Sequence, residues 1–246
     1  MATQTGSVVD RAANSQRQRN YELIYQESVD PWDYSSYADR VRFQCIADAA
    51  RKWCPHPRRS LDVACGLGQL TVLLAEFSDE VFAYAFAPSA VQRTRERCEK
   101  HARCKIDVEV RDAMDPGYER NIFDLIALCD MNTDGDMDWW SHVLKAHKEL
   151  LSQGGTMVVS GRIKPKDRSG FENSFLSMGG TLLDRVYFHD RYWYKARSVI
   201  KRAIPPHYAK TLLAQRWFFQ SATTIGRMTG PKGSIHFGVV VRFTER

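Results

Sequence analysis

The chain has no apolar run approaching the roughly 20 residues of a membrane-spanning helix. Its first residues also lack the apolar stretch of a secretory signal. Met1 to Asn20 is polar, rich in Ser, Gln, Asn and Arg, and is expected to form a disordered tail. No cysteine lies beyond Cys129. The six present (Cys45, Cys54, Cys65, Cys98, Cys104, Cys129) contain no C-x-x-C pair and no accompanying histidine spacing of a zinc site, so they read as reduced thiols of a cytoplasmic protein. A calcium loop is suggested by the run from Asp130 to Asp136, D-M-N-T-D-G-D, but the glutamate required at its twelfth position is missing. No metal is expected.

Acidic residues are scarce in one part only. Ser160 to Arg246 holds 16 Lys and Arg against 5 Asp and Glu, whereas the first 159 residues hold 19 against 24. The basic third suits an anionic partner: a phosphorylated or carboxylated substrate, a nucleic acid, or a membrane surface. With 246 residues and 43% hydrophobic content, the chain can bury the core of one elaborated domain.

The most informative stretch is Leu61 to Gly68, L-D-V-A-C-G-L-G. A short apolar strand breaks into Gly66 and Gly68, and Leu70, Leu73, Leu74 and Phe77 follow at helical spacing. Glycine serves there where the backbone turns at positive φ and lies flush against a ligand. Strand and helix then alternate, as in a parallel sheet covered on both faces. Strands are expected at Glu80–Phe86, Ile106–Val110, Ile122–Cys129 and Thr156–Ser160, with helices at Pro88–Ala102 and Trp139–Leu151. Upstream, Tyr37–Trp53 reads as a helix that Pro55 and Pro57 terminate. The rhythm stops between Gly161 and Ala214, an aromatic and basic insertion expected to be a substrate cap. Trp217–Ile225 and Ile235–Phe243 are expected to close the chain as two strands.

Seven strands in this order, with the glycine loop after the first and a terminal strand pair, resemble the class I S-adenosylmethionine-dependent methyltransferases over roughly Tyr21 to Arg246. Asp62-Val63-Ala64-Cys65-Gly66-Leu67-Gly68 is similar to that family's acidic-hydrophobic-small-Cys-Gly-x-Gly signature. Asp30-Pro31-Trp32-Asp33-Tyr34 narrows the resemblance to nodulation-type enzymes that N-methylate amino sugars. A nicotinamide fingerprint would place Gly or Ala three residues after Gly68, where this chain has Thr71.

The fold implied is α/β and Rossmann-like: a seven-stranded, mostly parallel sheet with helices on both faces, an antiparallel last strand and a cap inserted between strands five and six. The resemblance also implies S-adenosylmethionine as cofactor, contacted by Asp62, Ala64, Gly66 and Gly68, with Asp112 at the adenine amino group, Ala113 offering backbone there and Trp32 alongside. One departure stands out. At the end of the second strand, where the family carries the acid that accepts the ribose hydroxyls, this chain has Ala85. Nothing near it on the strand compensates: Glu80 lies at the far end, and Tyr84 and Phe86 point to the opposite face.

Methyl transfer is an in-line displacement, so alignment and shielding of a neutral nucleophile matter most. Asp130, after the fourth strand, is the candidate to orient or deprotonate an amine or hydroxyl, with Asp134 beside it; an Asp-rich turn capping a helix is the structural alternative. His189, in the aromatic and basic insertion, is the candidate histidine, whereas His142 and His147 read as structural. Tyr34, Arg191, Tyr192 and Trp193 are the acceptor-side candidates, the aromatics having the alternative of forming the cap's own core. The acceptor expected is a small molecule or saccharide, with an anionic or lipid-linked one suiting the basic third and peripheral membrane contact compatible with its amphipathic segments. Two rival readings remain: a methyltransferase-like binding or regulatory protein that no longer methylates, favoured by Ala85, and a nucleic-acid methyltransferase, favoured only by the basic third.

Overall fold

The computed structural model describes residues 6–34, 36–101, 103–131 and 137–244. The helices α1 (Gly6–Glu27) and α2 (Tyr37–Trp53) precede β1 (Arg59–Val63), which runs through the glycine loop into α3 (Gln69–Leu74). Then follow β2 (Glu80–Ala85), α4 (Pro88–His101), β3 (Lys105–Val110), β4 (Phe123–Cys129), α5 (Met137–Leu150) and β5 (Leu151–Arg162). The last part contains α6 (Arg168–Leu176), β6 (Gly180–Tyr187), α7 (Arg191–Ala203), α8 (Pro206–Leu213), α9 (Arg216–Met228) and β7 (His236–Phe243).

The strands form one sheet in the order β3-β2-β1-β4-β5-β7-β6. The pairs from β3 through β5 are parallel, and β7 runs antiparallel to both β5 and β6. This is the Rossmann-like α/β sheet expected from the alternating pattern. Strand order reverses between β1 and β4, and ligands of such sheets bind outside the carboxyl ends of the strands at that point. The chain's glycine loop and Asp130 both lie there.

The central strand is β4: Phe123, Leu125, Ile126, Ala127 and Leu128 are each 0% exposed. Ile126 and Leu128 face Trp140, Val143 and Leu144 of α5. Leu125 and Ala127 face Phe43, Ile46 and Ala47 of α2 and Leu70 and Leu74 of α3. His147 is buried on α5, as its place in the apolar stripe suggests. Its Nδ1 faces the Val143 carbonyl at 2.7 Å and therefore donates, leaving Nε2 to accept from the Tyr84 hydroxyl. Burial pushes its pKa down to about 4.

Three expectations are corrected. The N-terminal segment, read as a disordered tail through Asn20, is helical from Gly6; Gln18, Tyr21, Glu22 and Tyr25 form its inward face while Arg19, Asn20 and Leu23 are exposed. Trp217–Ile225 is not a strand but part of α9, because its buried residues Phe219, Ala222, Thr223 and Gly226 recur at helical spacing. The sixth strand is instead Gly180–Tyr187, in the middle of the expected cap. The larger helical elaboration, α7 to α9, therefore lies between β6 and β7 rather than between β5 and β6. Trp193, 1% exposed, packs edge-on against Phe219 and Tyr194 as the centre of that elaboration.

Candidate active site

The loop after β1 is held from beneath. Asp62 is buried, and its carboxylate accepts the Thr71 hydroxyl at 2.6 Å, bracing the first turn of α3. Burial pushes the Asp62 pKa up to about 7, offset only in part by the hydrogen bonds from Thr71. The carbonyls of Gly66 and Leu67 are taken by Thr94 at 3.0 Å and Arg97 at 2.7 Å, both on α4. Gly68 has φ +76°, and a Cβ there would come within 2.8 Å of the Thr94 methyl, so only glycine allows the loop and α4 to close.

The upper side of the loop is different. Ala64 adopts φ +57°, a conformation costing about 1–2 kcal/mol for a non-glycine residue. It is also the exposed residue of a stretch, Leu61–Gly68, whose others are buried. Tyr25 and Tyr34 roof Gly66, where a Cβ would meet the Tyr25 hydroxyl at 3.4 Å and the Tyr34 ring at 3.5 Å. Trp32 donates its indole N–H to the Tyr25 hydroxyl at 3.1 Å. The two tyrosines thus pack directly on the loop backbone at Gly66.

Ala85 ends β2 in an apolar patch with Tyr25, Ala87, Ala90 and Val91. Its carbonyl accepts the Arg111 N–H at 3.1 Å, which sets the end of β3 beside it. Asp112 follows, with its carboxylate accepting the Met114 N–H at 2.9 Å, and Ala113 packs partly against the core. The helix α1 crosses above this edge. Gln18 donates to the Phe86 carbonyl at 2.9 Å, and Glu22 accepts from the Ser89 N–H at 2.9 Å and from the Ser89 hydroxyl. At its C-terminal end, the carbonyls of Tyr25, Ser28 and Val29 bind Arg93 of α4.

Asp130 leaves β4 with φ +58° and is tied to Arg42, a residue the sequence reading did not single out. Arg42 is 5% exposed and also binds Asp39 at 2.7 Å, one turn earlier on α2. Ser36, the N-cap of α2, accepts the Asp39 N–H and donates to its carboxylate, so the cap of the helix also orients the ion cluster. Burial works against the Arg42 cation, but Asp130 and Asp39 outweigh it and hold it protonated. The other oxygen of Asp130, Oδ1, is buried without a hydrogen-bond partner. The only sequence signal for Arg42 was an arginine in the apolar half of α2.

On the far side of Arg42 lies a cavity of about 80 Å³, lined among others by Tyr187, His189, Tyr194, Thr223 and Arg227. His189 has φ +54°, donates its backbone N–H to the Ser234 hydroxyl at 2.8 Å, and keeps a buried Nδ1 without a partner. A Cβ on Gly226 would come within 2.1 Å of the His189 carbonyl, so α9 can lie against this turn only with glycine there. Asp190 binds the Ile235 N–H and the His236 ring, fastening α7 to β7. Arg191 and Tyr192 begin α7, with the Lys195 ammonium 5.7 Å from the Tyr192 ring centroid, whereas Trp193 belongs to the core of the helical elaboration. Asp134 lies outside the described residues. Arg42 is therefore the link between the predicted residues at the strand ends and the predicted histidine.

The reversed strand order, the glycine loop after the first strand and the carboxylate after the fourth define a Rossmann-like fold with its ligand site at the switch point. Residues 61–155 match the family described as Methyltransferase domain. In structure, the chain is similar to the N-methyltransferase NodS from Bradyrhizobium japonicum WM9, solved in complex with S-adenosyl-L-homocysteine, with TM-score 0.61 and 17% identity over 94% of this chain and 99% of that one. It is also similar to the [4+2]-cyclase SpnF, with TM-score 0.56 and 16% identity over 80% and 79% of the two chains. In sequence, 105 residues, 42% of this chain, are 33% identical to the probable non-canonical nonribosomal peptide synthetase CymA of Salinispora arenicola (strain CNS-205); the chain spans 1% of that protein's length. The match to a methyltransferase domain covers the sheet's parallel half and the glycine loop, and the chain as a whole shares the fold of NodS. No described helix is long and apolar enough to cross a membrane.

Proposed function

We propose that this protein transfers a methyl group from S-adenosylmethionine to a nitrogen or oxygen of a small molecule, with an amino sugar as the leading acceptor. One observation carries the reading: a buried carboxylate oxygen, Asp130 Oδ1, without a partner, at the sheet's switch point and one strand from the glycine loop. The residues present fit the donor. The exposed backbone at Ala64, in the loop after β1, takes its amino-acid portion. The donor supplies an activated methyl group; the protein supplies alignment. Asp130 accepts an N–H or O–H of the acceptor, directs its lone pair and receives its proton. Arg42 keeps that carboxylate in place, Tyr25 and Tyr34 exclude water, and His189 contacts the acceptor from the cavity side. The basic third favours an acceptor bearing phosphate or carboxylate.

The test has two parts. Calorimetry should detect binding of S-adenosylhomocysteine, and labelled methyl transfer should modify at least one member of a panel of amino sugars, amines and alcohols. Asp130→Asn should then lower kcat about a hundredfold while changing product affinity by less than about tenfold. Absence of S-adenosylhomocysteine binding would overturn the donor reading, and an unchanged kcat would remove Asp130 from the chemistry.

A second reading, a fold that binds its ligand without methylating, is supported by Ala85 and by the likeness to a protein described as a cyclase. Product binding without transfer to any acceptor would favour it. The nucleic-acid reading would require binding that weakens steeply with salt.

A further inference from the structure

In a parallel sheet with its glycine loop after the first strand, an acid about 20 residues on, at the end of the second strand, accepts ribose hydroxyls. Ala85 stands 19 residues after Gly66 and accepts nothing. Ala85 itself packs against Tyr25 of α1, and polar side chains of the same helix contact the residues just beyond it. Gln18 and Glu22 are four apart on α1 and so share one helix face with the roofing Tyr25. They reach Phe86 and Ser89, the first and fourth residues after Ala85.

We infer that Glu22, assisted by Gln18, supplies the acceptor for the ribose hydroxyls of the donor that β2 does not provide. The inference rests on the donor reading above. Three features support it. The helix carrying Glu22 is pinned to α4 at both ends of the contact, by Ser89 at one and Arg93 at the other, so the carboxylate is held in position rather than waving from a tail. The Ser89 N–H and the N-terminus of α4 favour its charged form, the form that binds hydroxyls most strongly. And its oxygens are not saturated: a carboxylate has about four acceptor sites, and one of the contacts Glu22 makes is to the exposed amide of Gln26, which a ribose hydroxyl can displace. The alternative is that Glu22 does no more than cap α4 from a neighbouring helix.

The two roles separate by a hydroxyl deletion. S-Adenosylhomocysteine and its 2′-deoxy analogue are titrated by calorimetry into the natural chain, Glu22→Gln, and Glu22→Gln combined with Ala85→Asp. Glutamine keeps an oxygen for the Ser89 N–H, and a thermal melt checks that the cap survives. The natural chain should prefer the ribo form by about tenfold or more, as expected for a charge-assisted hydrogen bond. In Glu22→Gln the preference should fall below about threefold, and Ala85→Asp should restore it. Retention of the full preference in Glu22→Gln means that Glu22 is only a cap, and overturns the inference alone. Failure of the natural chain to bind either compound overturns the donor reading and this inference with it. Should Glu22→Gln not fold, Ala85→Asp in the natural background decides: it should strengthen ribo-form binding by less than about threefold if Glu22 already fills the role, and by tenfold or more if the role is empty.

Discussion

Arg42→Met is expected to lower the stability of the protein by about 3–5 kcal/mol, a fall in melting temperature on the order of 10 °C for a chain of this length. Arg42 is the cation shared by Asp39 and Asp130, and all three are withdrawn from solvent. Methionine fills a similar volume but leaves two carboxylates in a low-dielectric site without the charge that neutralises them. Leaving such charges uncompensated costs more than the ion pairs themselves contribute. A triple variant, Arg42→Met with Asp39→Asn and Asp130→Asn, should therefore recover most of the loss. Thermal and urea unfolding of the single and triple variants measure both effects. A single variant within 1 kcal/mol of the natural chain, a threshold of about the size of an exposed pair, would mean that water reaches the cluster and that Asp130 is not the enclosed carboxylate described here.

Asp62→Asn should change the pH dependence of stability in the opposite sense to an ordinary surface carboxylate. The folded-state pKa of Asp62 is raised by burial to about 7, against roughly 3.9 in an unfolded chain. A raised pKa means that the folded state holds its proton longer. The stabilisation linked to that proton is fully present below about pH 4 and is lost as pH rises through 7. Three units correspond to about 4 kcal/mol as an order of magnitude. Asparagine has no such titration and keeps an oxygen for Thr71. The difference in unfolding free energy between Asp62→Asn and the natural chain should therefore shift toward the variant between pH 4 and pH 8. A difference that is flat across that range would show that the carboxylate is solvated or paired with a cation.

Residue types alone exposed some parts of this structure and concealed others. The loop from Asp62 to Gly68 was legible because its requirements are local: positive φ at Gly66 and Gly68, and closeness of the chain to Thr94, admit few side chains. The strands β1, β2, β4 and β5 were legible because burial leaves largely apolar runs, and the edge strand β3 because Ile106, Val108 and Val110 alternate with charged residues. The strand β6 was not, because it lies at the sheet edge, mostly half-buried or exposed, and carries no such run. For α9 the error came from weighing residue type over spacing. Trp217, Phe218, Phe219, Thr223, Thr224 and Ile225 favour strands individually, while packing against α7 selects a helix. The helix α1 was hidden by its polarity, since its inward face consists of Gln18, Tyr21, Glu22 and Tyr25 rather than an aliphatic stripe.

By itself, the sequence determined the sheet's parallel core, the glycine loop as a ligand seat and the absence of an acid at Ala85. Each depends on backbone geometry or on burial repeated along a few neighbouring residues. Only the tertiary structure decided what surrounds the seat. Arg42 meets Asp130 across 88 residues of chain, and Glu22 meets Ser89 across 67. Such meetings follow from how helices settle on the two faces of the sheet, a long-range outcome that no local spacing encodes.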